Sequence, residues 1–218
     1  MRKHALLLLP AAAALLFAVE TVKTPIDNDN VRVLDVIEQP HEKTSLHEHK
    51  VNRVMIYRNA GSQNFEFEDG RHAVLTFKEN EVKWSPVEAR HIAEAASEQP
   101  VNIVEIELKK PGAGKSVSTA FDPLKVDPKH YKLEFENDQV RVFRVKIGPH
   151  ESTPMHEHQL NRVMVYLSDA TVRVTNEDGK VETTRRHAGE IVEGRWAKHS
   201  EENLSDTPFE AIATELKY

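Results

Sequence analysis

Short runs of apolar and β-branched residues, separated by turn residues, make up most of the chain. In residues 102–108 apolar side chains alternate with glutamates, which is typical of a strand with one buried face. The same reasoning predicts strands at residues 31–37, 54–57, 65–67, 73–77, 102–108, 140–147, 163–167, 171–175 and 209–216. Asp69-Gly70 and Asp178-Gly179 stand between such runs and predict hairpin turns. The pattern therefore indicates an all-β protein.

Two segments interrupt this pattern. Residues 86–96 are the only stretch whose composition favours a helix, and the stretch is short. Residues 111–130 are rich in chain breakers, including Pro111, Gly112 and Gly114, and predict a linker. We therefore expect two β domains, at residues 22–110 and 131–218, on either side of this linker.

A long internal repeat supports that division. The tripeptide His-Glu-His at residues 47–49 returns at residues 156–158, a shift of 156 − 47 = 109. Around it, residues 28–57 and 137–166 agree at about 18 of 30 positions without a gap, so one unit occurs twice. Units of roughly 80–90 residues bury little core alone. We expect the two to pack together as an internal pseudo-dimer or the chain to form a homo-oligomer, and both arrangements stay open at this point.

Residues 1–20 have the pattern of an export signal. Arg2, Lys3 and His4 form a charged start, and the apolar run at residues 5–19 is too short for a comfortable membrane span. The predicted location is therefore exported, either periplasmic or extracellular. The chain has no cysteine, so no disulfide or lipid-bearing thiol contributes to this prediction.

The charge balance narrows the class of partner. The formal net charge is −6 at pH 7, and removal of Arg2 and Lys3 with the leader makes it about −8. A chain this acidic does not attract nucleic acid or an anionic membrane surface by bulk electrostatics. We expect a small-molecule ligand or substrate, no nucleic acid and no stable membrane span.

Histidine is the residue type that carries the candidate chemistry. Two histidines at i and i+2 on a strand share one face and can chelate one ion. A third imidazole from a later strand completes a three-nitrogen face that suits Fe, Mn, Ni, Cu or Zn and leaves positions open for water or substrate. The candidate metal ligands are His47, His49 and His91 in the first repeat and His156, His158 and His199 in the second. The alternative is that paired histidines are solvated polar residues on an exposed face.

Two segments of the second repeat resemble motifs of a known family. The segment from Gly148 to His158 resembles the first motif of the cupin superfamily, and the segment from Gly189 through His199 to Asn203 resembles the second. Two such units make the chain similar to a bicupin. The resemblance implies two tandem double-stranded β-helix (jelly-roll) barrels, whose interiors hold a divalent transition metal on the six histidines named above.

The chain departs from the family pattern at one ligand position. Arg53 and Arg162 stand where the family motif places a ligand glutamate. A divalent ion about 5 Å from a guanidinium is repelled by roughly 6–7 kcal/mol at an effective dielectric near 20. Three outcomes stay open. The arginine turns to a carboxylate such as Glu107 or Glu215 and leaves a three-histidine site, or it orients an anionic substrate beside the metal, or the metal is absent.

Two functions follow from these alternatives. The first is an exported bicupin with a three-histidine metal in at least one half, acting on a small molecule as an oxidoreductase of the dioxygenase type, with Arg53 or Arg162 as a ligand-orienting charge. The second is a binding, structural or oligomerisation module of the same fold without metal. Gly148, Gly189 and Asn203 favour the second repeat as the working site.

Overall fold

The computed structural model describes residues 21–218, so the predicted export leader lies outside the described residues. The strands of the first half are β1 Thr21–Asp27, β2 Val31–Glu38, β3 His47–His49, β4 Arg53–Tyr57, β5 Gly61–Phe67, β6 His72–Phe77, β7 Glu81–Ser85, β8 Glu88–Ala95 and β9 Val101–Leu108. After a short helix, α1 Pro123–Val126, the second half contains β10 Tyr131–Glu136, β11 Val140–Ile147, β12 His156–His158, β13 Arg162–Tyr166, β14 Ala170–Asn176, β15 Val181–Arg186, β16 Ile191–Gly194, β17 Ala197–Asn203 and β18 Phe209–Leu216. Between residues 21 and 218, no helix has both the length and the apolar character that a membrane span needs.

The two halves have the same topology. In the first half, hydrogen bonds join five strands in the order β1-β2-β9-β4-β7 and four strands in the order β3-β8-β5-β6. The second half repeats this as β10-β11-β18-β13-β16 and β12-β17-β14-β15, and the pairs are antiparallel in both. The prediction of an all-β chain with two matching jelly-roll units is confirmed.

Local expectations had mixed outcomes. Gly70 and Gly179 connect β5 to β6 and β14 to β15 with φ of 82° and 81°, so both hairpin turns are confirmed at the glycine that allows this conformation. Residues 86–96, whose composition favours a helix, form strand β8 instead. Pairing of β8 with β3 and β5, together with burial of Ala93 and Ala95, outweighs composition there. The predicted linker contains the one-turn helix α1.

The largest apolar cluster lies between the halves, where the two five-stranded sheets face one another, and we call this layer the seam. On β4, Val54 and Ile56 point into the seam, whereas Met55 and Tyr57 point into the interior of the first half. Strand β4 is thus buried on both faces. The buried members of the seam are Val31, Val33, Val54, Ile56, Val104, Ile106, Leu108, Val140, Val142, Val163, Val165, Ile212 and Leu216.

Hydrogen bonds also join the two halves. Asn52 Nδ2 donates to Gln139 Oε1 at 2.5 Å, and Arg144 donates to the Asn80 carbonyl at 2.7 Å. Both bonds join the first half to the second.

Each half also has its own core, formed around Tyr57 and Phe77 in the first and around residues of β11, β14 and β18 in the second. The halves therefore pack on one another, as small units must.

Because the seam is shared, we expect Ile212→Ala to lower the free energy of unfolding by about 2–5 kcal/mol. Ile212 is fully buried in the seam, and the truncation leaves a cavity between the halves. Urea unfolding followed by circular dichroism measures the change, which we expect within one cooperative transition. Val181→Ala, at an exposed position, is the control and should change stability by less than about 0.5 kcal/mol. Two separate transitions, only one of them shifted, would contradict a shared core.

Candidate metal centre

The first-half triad is built from two neighbouring strands. His47 and His49 lie on β3, where alternation places both side chains on one face, and the strand register sets His47 opposite His91 on β8. One nitrogen of each imidazole lies within 4.8 Å of the others. The structure therefore brings the three predicted residues together.

The second-half triad repeats this arrangement at greater depth. His156 and His158 lie on β12, and the register sets His156 opposite His199 on β17, again with nitrogens within 4.8 Å. The three are 0%, 4% and 5% exposed, whereas His47 and His49 are only partly buried. On geometry alone, either triad could hold a metal ion.

Hydrogen bonds hold the outer nitrogen of four of the six imidazoles. These bonds run from Nδ1 of His47 to the Ser45 carbonyl (2.8 Å), of His91 to the Ala89 carbonyl (2.8 Å), of His156 to the Pro154 carbonyl (3.0 Å) and of His158 to the Glu215 carboxylate (2.9 Å). An Nδ1–H donor leaves the lone pair on Nε2, which is the form that binds a metal. Such outer bonds orient the imidazoles of metal sites in this way, so the donor set fits a metal.

Burial lowers the pKa of five of the triad histidines and so favours their uncharged form. Burial lowers the pKa of His49 to about 3, with Arg53 adding to the effect, and lowers the pKa of His199 to about 4. Burial also lowers the pKa of His91, His156 and His158. Neutral imidazole is required of a metal ligand, so these environments suit that role.

Arg53 points into the first-half site. The residue is 4% exposed on β4, and its Nη1 donates to His49 Nε2 at 2.8 Å and to Glu105 Oε2 at 3.1 Å. Its Nη2 donates to Ser85 Oγ at 2.8 Å and lies 3.5 Å from Glu88 Oε2. The guanidinium thus bonds directly to a nitrogen of the triad.

Arg162 takes a different course. Its Nη1 donates to the Arg195 carbonyl at 2.7 Å, and its side chain passes Gly194, where a Cβ would lie 2.9 Å from Arg162 Cγ. Among the described residues, no hydrogen bond joins Arg162 to the second-half triad. The repeated arginine therefore has two conformations with different consequences for the neighbouring histidines.

The carboxylates named from the sequence as partners of these arginines are the wrong ones. Glu107 pairs with Arg32, while Glu215 accepts from His158 and lies 3.6 Å from Arg141. The partner of Arg53 is Glu105, two residues before Glu107 on the same face of β9. The alternation of residues 102–108 could have indicated Glu105 as a candidate partner, because it places Glu105 and Glu107 on the same face of the strand.

A cavity of about 560 Å³ adjoins the first-half triad. Arg53, Glu105 and the three histidines contribute polar groups to its wall. The apolar part of the wall includes Leu34, Val36, Met55, Tyr57, Phe65, Phe67 and Trp84. Its size and mixed lining are those of a small-molecule site.

Larger side chains fill the corresponding space in the second half. Tyr131 stands at the position of Val22, and Phe143 at that of Leu34. Both rings are buried and pack on the triad, and the Tyr131 hydroxyl lies 3.1 Å from His156 Nε2. The sequence favoured the second repeat as the working site, whereas the 560 Å³ cavity lies in the first.

Two further motif positions have structural explanations. His41 and His150, which stand where the family motif has glycine, adopt φ of 61° and 55°, a conformation that glycine accepts at lower cost. Asn203 donates to the carbonyls of Ile147, Gly148 and Thr207 and so ties the end of β17 to two loops. Asn203 therefore supports the barrel rather than the metal position.

Comparison with known proteins gives the fold and no closer relationship. No family model matches the sequence, and no curated protein matches it. AerE from Microcystis aeruginosa has a similar structure, with a TM-score of 0.67, 12% identity and coverage of 93% of this chain and 94% of AerE. A Cupin 2 conserved barrel domain protein from Leptotrichia buccalis gives 0.54 and 12%, with coverage of 92% and 90%. Bacillus subtilis oxalate decarboxylase, which has Mn(II) centres, gives 0.59 and 14%, with coverage of 86% and 69%.

These likenesses define the class of fold. The chain has the cupin fold, and it contains that fold twice, as the repeat and the two matching sets of sheets require.

We expect His49 and His199 to stay uncharged at pH 5.5, because their pKa values of about 3 and about 4 lie below this pH. An unfolded histidine, with a pKa of about 6.5, is mostly protonated there. Acidification below about pH 6.5 therefore favours the unfolded chain, and this loss of stability continues down to the folded pKa values. Imidazole nitrogen shifts in NMR spectra of metal-free protein measure the charge. Protonation of both residues near pH 6.5 would contradict the prediction.

Proposed function

We propose that this chain is an exported bicupin that holds a divalent transition metal on His156, His158 and His199 and acts on a small molecule, with oxidoreductase chemistry of the dioxygenase type. The observation that carries the proposal is the second-half triad, with three neutral, converging imidazoles. His156 and His158 have Nδ1 fixed by Pro154 and Glu215. The export leader expected at residues 1–20 supports the exported location.

The chain's own residues define what surrounds the metal position. The Tyr131 hydroxyl donates to Glu201 at 3.0 Å beside His156, so a proton is held on a defined oxygen next to the site. Burial raises the pKa of Tyr131 well above its usual range, which keeps this hydroxyl protonated. A divalent metal on three imidazoles would supply a Lewis acid or a redox centre with open positions.

A second candidate function has support from the first half. A small-molecule-binding module without metal, or a structural and oligomerisation module, suits a barrel in which Arg53 already bonds to His49 and a 560 Å³ cavity lies alongside. The two candidates differ in whether any metal is required.

Metal content separates these candidates. We expect protein purified without a histidine tag to carry Fe, Mn, Ni, Cu or Zn by mass spectrometry, and His156→Ala/His158→Ala to lose it. Added metal should raise the melting temperature of the metal-free protein, since a ligand that binds only the folded state stabilises it. The control is His72→Ala/His187→Ala, which removes two exposed histidines outside the triads. A protein that takes up no metal and shows no thermal response would favour the module without metal.

We expect Glu215→Ala to weaken metal binding by about 10- to 100-fold, because it removes the acceptor that orients His158. Glu215→Gln retains an acceptor oxygen and should lose less. Competition with a chelator of known affinity measures both constants. Equal affinities in the two variants and the parent protein would show that Glu215 does not orient a ligand.

A further inference from the structure

We propose that Arg53 takes the place of the metal ion in the first half, so that this half works without metal and the chain binds a single ion, in the second half. The number of ions rests on the proposed function. The exclusion of metal from the first half does not, because it depends on contacts of the first half alone.

A hydrogen bond from Arg53 uses the lone pair of His49 Nε2, which a metal ion would need. His47 Nε2 and His49 Nε2 lie 3.1 Å apart, and Arg53 Nη1 donates to His49 Nε2 at 2.8 Å. A nitrogen that accepts this hydrogen bond has no lone pair left for a metal. A guanidinium is also permanently charged, so it repels any cation placed between the same imidazoles.

Three acceptors hold Arg53 in this position, and none of the three is repeated in the second half. The residues bonded to or beside its guanidinium are Ser85, Glu88 and Glu105. Strand register sets Gly194, Ala197 and Ala213 at the three corresponding positions. The difference between the two arginines therefore has a cause in the sequence. Arg162 has no side-chain acceptor at these positions and turns to the Arg195 carbonyl instead.

The first-half carboxylates are also engaged. One oxygen each from Glu105 and Glu107 lies within 4.8 Å of a nitrogen of His49, a set that could otherwise attract a cation. Arg53 pairs with Glu105 at 3.1 Å, and Arg32 pairs with Glu107. The two carboxylates that could help to bind a metal cation are therefore already paired with arginines of the same half.

The second half has the opposite arrangement. Glu215 accepts from Nδ1 of His158, and Arg162 makes no hydrogen bond to a triad nitrogen among the described residues. The outer nitrogen of His156 is held in the same way by Pro154. The Tyr131 hydroxyl lies 3.1 Å from His156 Nε2 but donates its proton to Glu201, so the inner nitrogens of this triad keep their lone pairs.

The experiment counts metal ions in the full chain. Metal-free protein is loaded with excess Mn²⁺ or Zn²⁺, desalted and measured for metal per chain by mass spectrometry. We expect about one equivalent in the parent protein and about two in Arg53→Glu, which removes the guanidinium and adds a carboxylate ligand. Arg53→Glu/His47→Ala should return to about one, because the added ion needs the first-half triad.

Two further variants test the cause. Ser85→Gly/Glu88→Ala/Glu105→Ala gives the first half the second-half residues while keeping Arg53, and we expect it to gain an ion as well. Arg162→Gln, the matched control, should leave the count unchanged. Circular dichroism and the melting temperature show which variants remain folded. If Arg53→Glu does not fold, Arg53→Gln takes its place, because it also removes the guanidinium.

The outcomes distinguish this proposal from the proposed function. If the parent protein binds two ions and His47→Ala removes one, or if folded Arg53→Glu and Arg53→Gln gain none, the role of Arg53 is overturned. If the parent protein binds none while Arg53→Glu gains one that His47→Ala removes, the second-half metal site fails and the role of Arg53 stands.

Discussion

The seam between the two five-stranded sheets is the constraint on which the rest of the structure depends. Each half has an apolar cluster of its own, but the cluster that the two halves share is larger than either. Burial of β-branched side chains between the sheets therefore stabilises both halves at once. The triads lie on the four-stranded sheets, on the far side of each barrel interior, where the seam holds the barrel shape without contacting the ligands.

Within this common frame the two sites differ through a few side chains. Glu105 in place of alanine holds an arginine inward, and Tyr131 in place of valine fills a space that is open in the other half. The first half consequently combines a cavity with the inward-facing guanidinium of Arg53. The second half combines a buried, pre-oriented triad with the Tyr131–Glu201 pair. The inferred functions follow these differences and not the fold, which is identical in both.

Much of the architecture could be predicted because it depends on alternation and repetition. Residues 54–57 and 163–167 were recognisable as strands, and the repeated His-Glu-His segments identified both triads. The conformation of Arg53 could not be predicted, since its acceptors come from β7, β8 and β9, which are distant in sequence. Strand β8 was missed for a related reason, because its pairing with β3 and β5 is set by tertiary contacts that outweigh its helix-favouring composition.

The pleat of β4 has a consequence for how such a chain can change over time. Val54 and Ile56 pack in the seam between the halves, whereas Arg53 and Met55, one residue away, line the cavity of the first half. Inheritance of one set therefore does not restrict the other, although both belong to the same five-residue strand. In this chain the inward residues of the strand recur unchanged in the second half as Arg162, Met164 and Tyr166, and the one difference, Ile56 against Val165, lies in the seam. A new interior can therefore arise around an unchanged inward strand when residues of the neighbouring strand are exchanged, as Glu105 and Ala213 are here.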